Sequence, residues 1–268
     1  MSALTLILRP GIPGRVDMSG ILPETLAGLS AAEIARLNVA VDGRDVALGE
    51  LFELTGGDAD QLTIHTELSV LDKLGAGMRG GCLHVEGPAG HFAGLGMRGG
   101  ELVLGGDAGD YAASSMLGGM LRIAGNAGDF LGAARIGERN GMAGGVVAVS
   151  GNVGERAGDR MRRGLILIRG NAGDACASRL LAGSIVVAGC CGAQPGFGLR
   201  RGSLILARPP QTMPATFSDA GVAELSYLDL LRRQARDILP DVLPATSRVH
   251  RYMGDLAFGG KGEILVAT

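Results

Sequence analysis

Residues 143–174 read AGGVVAVSGNVGERAGDRMRRGLILIRGNAGD, and this stretch decides the fold. It holds two copies of one pattern, in which a short apolar run is followed by glycines at fixed places. The copies begin 19 residues apart, at Ala143 and Arg162. A repeat of this length that holds one strand and several glycines is typical of a solenoid, in which each unit buries its apolar face against its neighbours.

The same pattern extends in both directions and occupies about half of the chain. The third unit carries seven extra residues between its glycines and its end, and the last unit stops at Pro209 and Pro210. The units begin at Arg79, Arg98, Leu117, Ala143, Arg162, Leu181 and Arg200. Their third column is always glycine: Gly81, Gly100, Gly119, Gly145, Gly164, Gly183 and Gly202.

Each unit predicts one β-strand with one inward face. Its fifth and seventh columns are apolar, as in Ile166 and Ile168, which is the period of two expected for a strand. The connections are too short for a crossover helix, so stacked coils must satisfy the backbone. Glycine at fixed columns supplies the corners with positive φ. The sequence therefore predicts a right-handed parallel β-helix of seven to eight 19-residue coils within residues 59–208.

The two ends of the chain do not repeat and are expected to cap the solenoid. Residues 1–58 form a predicted N-terminal cap, in which Ser30 and Glu33 make a capping box before a helix near 31–38. Residues 209–268 form a predicted tail, with one helix at about 226–239 that packs on the solenoid. Such caps protect the open strand edges of end coils.

Composition excludes several classes of function. The chain has 268 residues with a net charge of −2, which gives no argument for binding nucleic acid. No apolar run is long enough to span a membrane, and no export signal is evident, so we expect a cytoplasmic protein. In that compartment its four cysteines are expected to be free thiols.

The residues that carry chemistry do not form a recognisable catalytic set. His65 and His84 fall in neighbouring coils, but a metal site needs further ligands. A column of acidic residues lies at the glycine turns, where such side chains commonly cap the backbone. That column is Asp110, Asp129, Glu155 and Asp174. Four arginines, Arg79, Arg98, Arg162 and Arg200, are expected to line a solvated rim. We therefore predict no catalytic, cofactor-binding or metal-binding residue in this chain.

Two places break the regularity and are candidate subunit interfaces. The insertion at 132–141, GAARIGERNG, is a predicted surface loop that presents Arg135, Glu138 and Arg139. The outward columns of the later coils are apolar instead of polar, and such a stripe is rarely left in water. It is expected to be covered either by the C-terminal helix or by a partner protein. The stripe residues are Leu165, Leu167, Val186 and Ile205.

The repeat resembles the C subunit of formylmethanofuran dehydrogenase, on residues 144–174 and on GDLAFGGKGEILV at 254–266. The same Gly-x-Gly-x-Gly solenoid forms the C-terminal domain of the glutamate synthase large subunit. In the dehydrogenase family the resemblance implies a subunit without active sites. The A, B and D subunits carry the chemistry, and the methanofuran-type carrier and the metal sites are expected there.

The resemblance leaves three functions open. The first is a structural subunit of the bacterial formyltransferase/hydrolase complex, which moves formyl from tetrahydromethanopterin to a methanofuran-like carrier and releases formate. A composition rich in alanine, arginine and glycine suggests a GC-rich genome, and this favours the bacterial complex. The second is the C subunit of a tungsten or molybdenum formylmethanofuran dehydrogenase, and the third is a glutamate synthase-type structural domain. A solenoid face that itself binds substrate is the competing enzymatic hypothesis, but aromatic residues make up only 3% of the chain.

Overall fold

The computed structural model describes residues 3–12 and 14–268, and strands dominate it. The strands are β1 (Ala3–Leu8), β2 (Val16–Asp17), β3 (Asn38–Val41), β4 (Arg44–Ala47), β5 (Phe52–Thr55), β6 (Asp58–His65), β7 (Leu71–Asp72), β8 (Cys82–Glu86), β9 (Glu101–Leu104), β10 (Met120–Ile123), β11 (Ala143–Val149), β12 (Arg163–Ile168), β13 (Ser184–Val187), β14 (Ser203–Leu206), β15 (Ser218–Glu224), β16 (Arg248–Gly254) and β17 (Gly262–Ala267). The α-helices are α1 (Pro23–Leu26), α2 (Ala31–Ala35), α3 (Leu48–Leu51) and α4 (Tyr227–Arg236), and a 3-10 helix spans Leu256–Phe258.

One large, mostly parallel sheet organises the chain. Its 13 strands lie in the order β15-β16-β17-β14-β13-β12-β11-β10-β9-β8-β6-β1-β5. Between β17 and β1 in this order, every pair of neighbouring strands is parallel. Antiparallel strands extend the sheet at both ends, β5 beside β1 and β16 and β15 beyond β17. The predicted all-β class is confirmed.

The register of the parallel strands follows the sequence repeat. Leu83 pairs with Leu102, and Leu102 pairs with Leu121. The next partner of Leu121 is Val147, so the seven-residue insertion loops out without changing the register. A second row of parallel bridges runs through the glycine turns, and its members are Ala108, Ala127, Val153, Ala172 and Cys191.

The core consists of ladders of like residues, as the inward columns predict. Each fully buried leucine, isoleucine or methionine stabilises the fold by about 2 kcal/mol relative to an exposed one. One ladder is Leu62, Leu83, Leu102, Leu121, Val147, Ile166, Ile185, Leu204 and Ile264, all at most 1% exposed. A second ladder closes each repeat and comprises Met78, Met97, Met116, Met142, Met161, Leu180 and Leu199, all 0% exposed.

Glycine in the third column is required by close packing as well as by its backbone angle. Gly145 has φ +88°, and a Cβ there would lie 2.8 Å from the carbonyl oxygen of Gly119. It would also lie 2.8 Å from the Cε of Met116. A side chain would therefore push neighbouring repeats apart at this corner.

The N-terminal segment adds a second, four-stranded sheet in the order β4-β3-β2-β7. The predicted capping box is confirmed, because Ser30 Oγ accepts from Glu33 N at 3.3 Å and Glu33 Oε2 accepts from Ser30 N at 2.8 Å. The helix that it opens, α2, ends at Ala35, earlier than expected, since β3 begins at Asn38.

The C-terminal tail covers the apolar outer stripe of the later repeats. Leu165 is 6% exposed, and Leu167, Val186 and Ile205 are 0% exposed. They pack against Leu228, Ala235, Leu239, Val242, Leu243 and Leu265 of the tail. Of the two covers that the sequence left open, the structure has the tail, so these four candidate interface residues are covered by the chain itself. Burial stabilises the closed tail by roughly 2 kcal/mol for each large apolar side chain.

The tail also returns to the sheet, which the repeat did not predict. Strand β17 pairs in parallel with β14, so that Leu204 lies opposite Ile264. A polar cluster joins α4 to this point: the Tyr227 hydroxyl lies 3.2 Å from Glu263 Oε1, and Ser203 Oγ donates to the same oxygen at 2.6 Å. Burial raises the pKa of Tyr227 to about 12.

We expect Gly145→Ala to destabilise the fold by about 3 kcal/mol or more, because it combines a disfavoured backbone angle with a clash against backbone. Gly137→Ala is the matched control, since Gly137 has φ +86° and open space around it. The control is expected to lose about 1 kcal/mol. Urea unfolding measures both, and equal losses would contradict the packing argument.

Tyr227 is expected to titrate near pH 12, above its ordinary value of 10. Its neutral form is favoured in the folded state, so this contribution to stability is complete below pH 10 and is lost as the pH rises through 12. The free energy of unfolding of the natural chain should therefore fall relative to that of Tyr227→Phe above pH 10. The difference in tyrosinate absorbance between the two proteins gives the titration midpoint of Tyr227. A midpoint near pH 10 would contradict the raised pKa.

Candidate functional site

The two histidines singled out in the sequence do not face each other. The register of β6 and β8 pairs Thr63 with His84 and His65 with Glu86. His65 Nδ1 lies 2.9 Å from Glu86 Oε2 at an exposed ion pair. Among residues 3–12 and 14–268, no group of three or more histidine, cysteine or acidic side chains is arranged to hold a metal ion.

The three aspartates of the acidic column cap backbone of the following repeat, whereas Glu155 is exposed. Asp110 Oδ1 accepts from Asp129 N at 2.9 Å, and Asp129 Oδ1 accepts from Glu155 N at 2.7 Å. Asp174 Oδ1 accepts from Ala193 N at 2.7 Å. A parallel row does the same through amide side chains, since Asn126 Oδ1 accepts from Asn152 N at 2.9 Å. These oxygens hold repeats together, which accounts for their regular spacing.

The insertion is held in one conformation by polar contacts. Arg135 forms an ion pair with Glu138, with its Nε donating to Oε1 at 3.1 Å. Ser115 Oγ donates to Glu138 Oε2 at 2.6 Å. Arg160 Nη1 donates to the main-chain oxygen of Glu138 at 3.0 Å. Glu138 is therefore the anchor of the loop, and its carboxylate points back towards the repeats.

These contacts set the charge state of the anchor. The hydrogen bonds from Arg135 and then from Ser115 hold the pKa of Glu138 below its usual range. The same contact raises the pKa of Arg135. Both groups are therefore charged at neutral pH. The other arginine of the loop, Arg139, is exposed and forms no ion pair within the part of the chain that the structure describes.

A stack of aromatic rings lies beside the insertion. The rings of Phe92 and Tyr111 are 5.3 Å apart at 17°, and those of Tyr111 and Phe130 are 4.7 Å apart at 5°. All three residues occupy the fourteenth column of their repeats and have φ near +60°. Sequence reasoning missed this stack, although aligning that column would have found it.

The insertion and the stack enclose one recess. A cavity of about 420 Å³ is lined by Phe92, Tyr111, Arg135, Ile136 and Glu138. Ile136, at the tip of the insertion, is 96% exposed. Of the predicted interface residues, Arg135 and Glu138 line this recess, and Arg139 is an exposed residue of the same insertion. The four stripe residues lie under the tail instead.

A second, larger recess lies where β1, β6 and β8 end. It has a volume of about 540 Å³, and its lining includes Arg9, the half-exposed Ile7 and the His65–Glu86 pair. The histidine has a carboxylate partner, and the one hydroxyl-bearing residue of the lining is Thr66. The Thr66 hydroxyl donates to the main-chain oxygen of Leu68 at 2.9 Å, so it is engaged with backbone and not with His65.

We expect Glu138→Gln to loosen the insertion while changing the free energy of unfolding by less than about 1 kcal/mol, since the ion pair is on the surface. Hydrogen exchange of amides 134–141 should accelerate. In the natural chain, the contribution of Glu138 to protection should be complete above its ordinary pKa of 4.5 and be lost as the pH falls through its lowered pKa. Glu155→Gln, at another exposed carboxylate, is the control, and equal exchange in both variants would contradict the anchoring role.

No family model matches the chain. Two curated relatives do match part of it, and both are C subunits of enzymes. The chain is 41% identical over 86 residues to the C subunit of the formyltransferase/hydrolase complex Fhc of Methylorubrum extorquens, which is 32% of each protein. It is 34% identical over 95 residues to the C subunit of molybdenum-containing formylmethanofuran dehydrogenase 1 of Methanosarcina barkeri, which is 34% of this chain and 32% of the relative. These alignments span about a third of the curated relatives' length.

A solved structure matches over almost the whole length. It is the X-ray crystal structure of the formyltransferase/hydrolase complex (FhcABCD) from Methylorubrum extorquens in complex with methylofuran. The TM-score is 0.91 at 39% identity, and the match covers 98% of this chain and 99% of that one. The resemblance drawn from the repeat is confirmed: this chain belongs to the family of the C subunit of the formyltransferase/hydrolase complex.

Proposed function

We propose that this chain is a non-catalytic structural subunit that assembles with the A, B and D subunits of a formyltransferase/hydrolase complex. The observation that carries the proposal is the likeness to one chain of the FhcABCD complex, at 39% identity over 98% of this chain. The complex would convert formyl-tetrahydromethanopterin to formate through a methanofuran-like carrier. The carrier and metal sites would lie in the partner subunits.

The use of polar side chains supports a structural role. The acidic and amide columns that run along the repeats accept hydrogen bonds from the next repeat. A group that acts as base or nucleophile must instead be free to reach a reacting atom. Two charged side chains of the insertion, Arg135 and Glu138, are paired with each other. These contacts favour a subunit that positions partners over one that reacts.

The proposed architecture suits this task. We infer that the repeats wind as a right-handed parallel β-helix within residues 59–208, between the cap at 1–58 and the tail at 209–268. The 19-residue register and the second row of bridges support stacked coils, and parallel crossovers are right-handed in about 98% of cases. Ten strands joined by nine parallel pairings at about 4.8 Å spacing make a rigid body roughly 40 Å long.

The C subunit of a formylmethanofuran dehydrogenase is the second candidate function, since the curated match to a molybdenum-containing enzyme extends over 95 residues at 34% identity.

A cytoplasmic location is part of the proposal, supported by four free cysteines. No described helix has the length and apolar character needed to cross a membrane.

The proposal predicts that omitting this chain prevents the partner subunits from copurifying as one complex. Formyl release from formyl-tetrahydromethanopterin should fall at least tenfold, because transfer between two subunits depends on their fixed positions. The isolated chain should show no turnover. Full activity of the A, B and D subunits without this chain, or turnover by the chain alone, would contradict the proposal.

A further inference from the structure

We propose that the insertion surface, defined as Ile136, Arg139 and the recess beside the rings of Phe92 and Tyr111, docks a partner protein of the complex. The partner inserts an apolar side chain into the recess and covers Ile136, and a carboxylate of the partner pairs with Arg139. This inference rests on the proposed function and assigns its docking surface.

The exposure of Ile136 is the first reason. It is 96% exposed, the highest value among the large apolar side chains of the described residues, where the next is Leu230 at 62%. Covering such a side chain removes apolar surface from water and so favours association. An isoleucine at the tip of an anchored loop beside a recess has the character of an interface anchor.

Rigidity of the loop is the second reason. Glu138 is bound by Arg135, Ser115 and Arg160, so the loop is ordered before a partner arrives. Order in the free state reduces the entropy lost on association. Among the six units that begin at Arg79 to Leu181, only the one with the insertion departs from the length of 19 residues, and its extra residues leave the strand register unchanged.

The chemistry of the recess favours a protein over a small planar ligand. Both faces of Tyr111 are covered, by Phe92 and by Phe130, so a planar ligand cannot stack on the central ring. The charged side chains in the lining, Arg135 and Glu138, pair with each other. A small-molecule site needs convergent polar groups to orient its ligand, whereas an apolar side chain from a protein needs none.

Charge selects the kind of partner. The carboxylate of Glu138 turns inward, and Arg139 remains exposed and without an ion pair in the described part of the chain. The insertion therefore exposes one apolar side chain, Ile136, and one cation without an ion pair among the described residues, Arg139. Its complement is an apolar group flanked by aspartate or glutamate.

The test measures association of the full-length chain with its copurified partner subunits by biolayer interferometry. We expect Ile136→Ser and Arg139→Glu each to weaken association at least tenfold. Matched controls on the exposed face of α4, Leu230→Ser and Arg233→Glu, should stay within twofold. Ile136 is almost fully exposed, so Ile136→Ser should leave thermal unfolding of the free chain unchanged.

The outcomes separate this inference from the proposed function. If the natural chain does not associate at all, the proposed function fails. If the natural chain associates and both insertion variants do so within twofold of it, only the docking surface is refuted. Equal weakening by the α4 controls also refutes the docking surface. If the insertion variants assemble normally but bind a methanofuran-type carrier more weakly, the recess is a small-molecule site and the docking surface is again refuted.

Discussion

The close approach of backbones at the third-column glycine is the constraint on which the structure depends. At this corner, a Cβ added to any glycine from Gly100 to Gly202 in the column would meet the carbonyl oxygen of the preceding repeat's glycine at 2.5–3.0 Å. Only glycine allows that separation together with positive φ. The repeats can then pair strand to strand, and the inward leucine, isoleucine and methionine ladders close the core.

This constraint also explains why the proposed docking surface lies at a departure from the repeat. A column that recurs in every unit faces the same column above and below, so its side chains serve stacking and capping. The insertion lies outside those columns, and its Ile136 and Arg139 side chains are exposed. The tail acts in the opposite way, because it removes Leu167 and Val186 from solvent and leaves that face of the sheet closed.

Local features were predictable from the sequence, and distant ones were not. Period-two columns and the Ser30–Glu33 capping box depend on neighbouring residues, and the structure has both. The pairing of β17 with β14 joins residues far apart in the chain and outside any repeat, so no periodicity indicated it. The site was predictable in part: the insertion stood out by its length, but the stack beside it depends on a column in which only three units carry aromatic rings.

The central claim is that this protein positions catalytic partners and takes no part in the reaction. A cryo-electron microscopy structure of the assembled complex with a formylated carrier tests it most directly. The account predicts that the insertion lies against a partner protein and that no side chain of this chain is within hydrogen-bonding distance of the formyl group. A side chain of this chain within about 3.2 Å of the formyl carbon or its oxygen would contradict it.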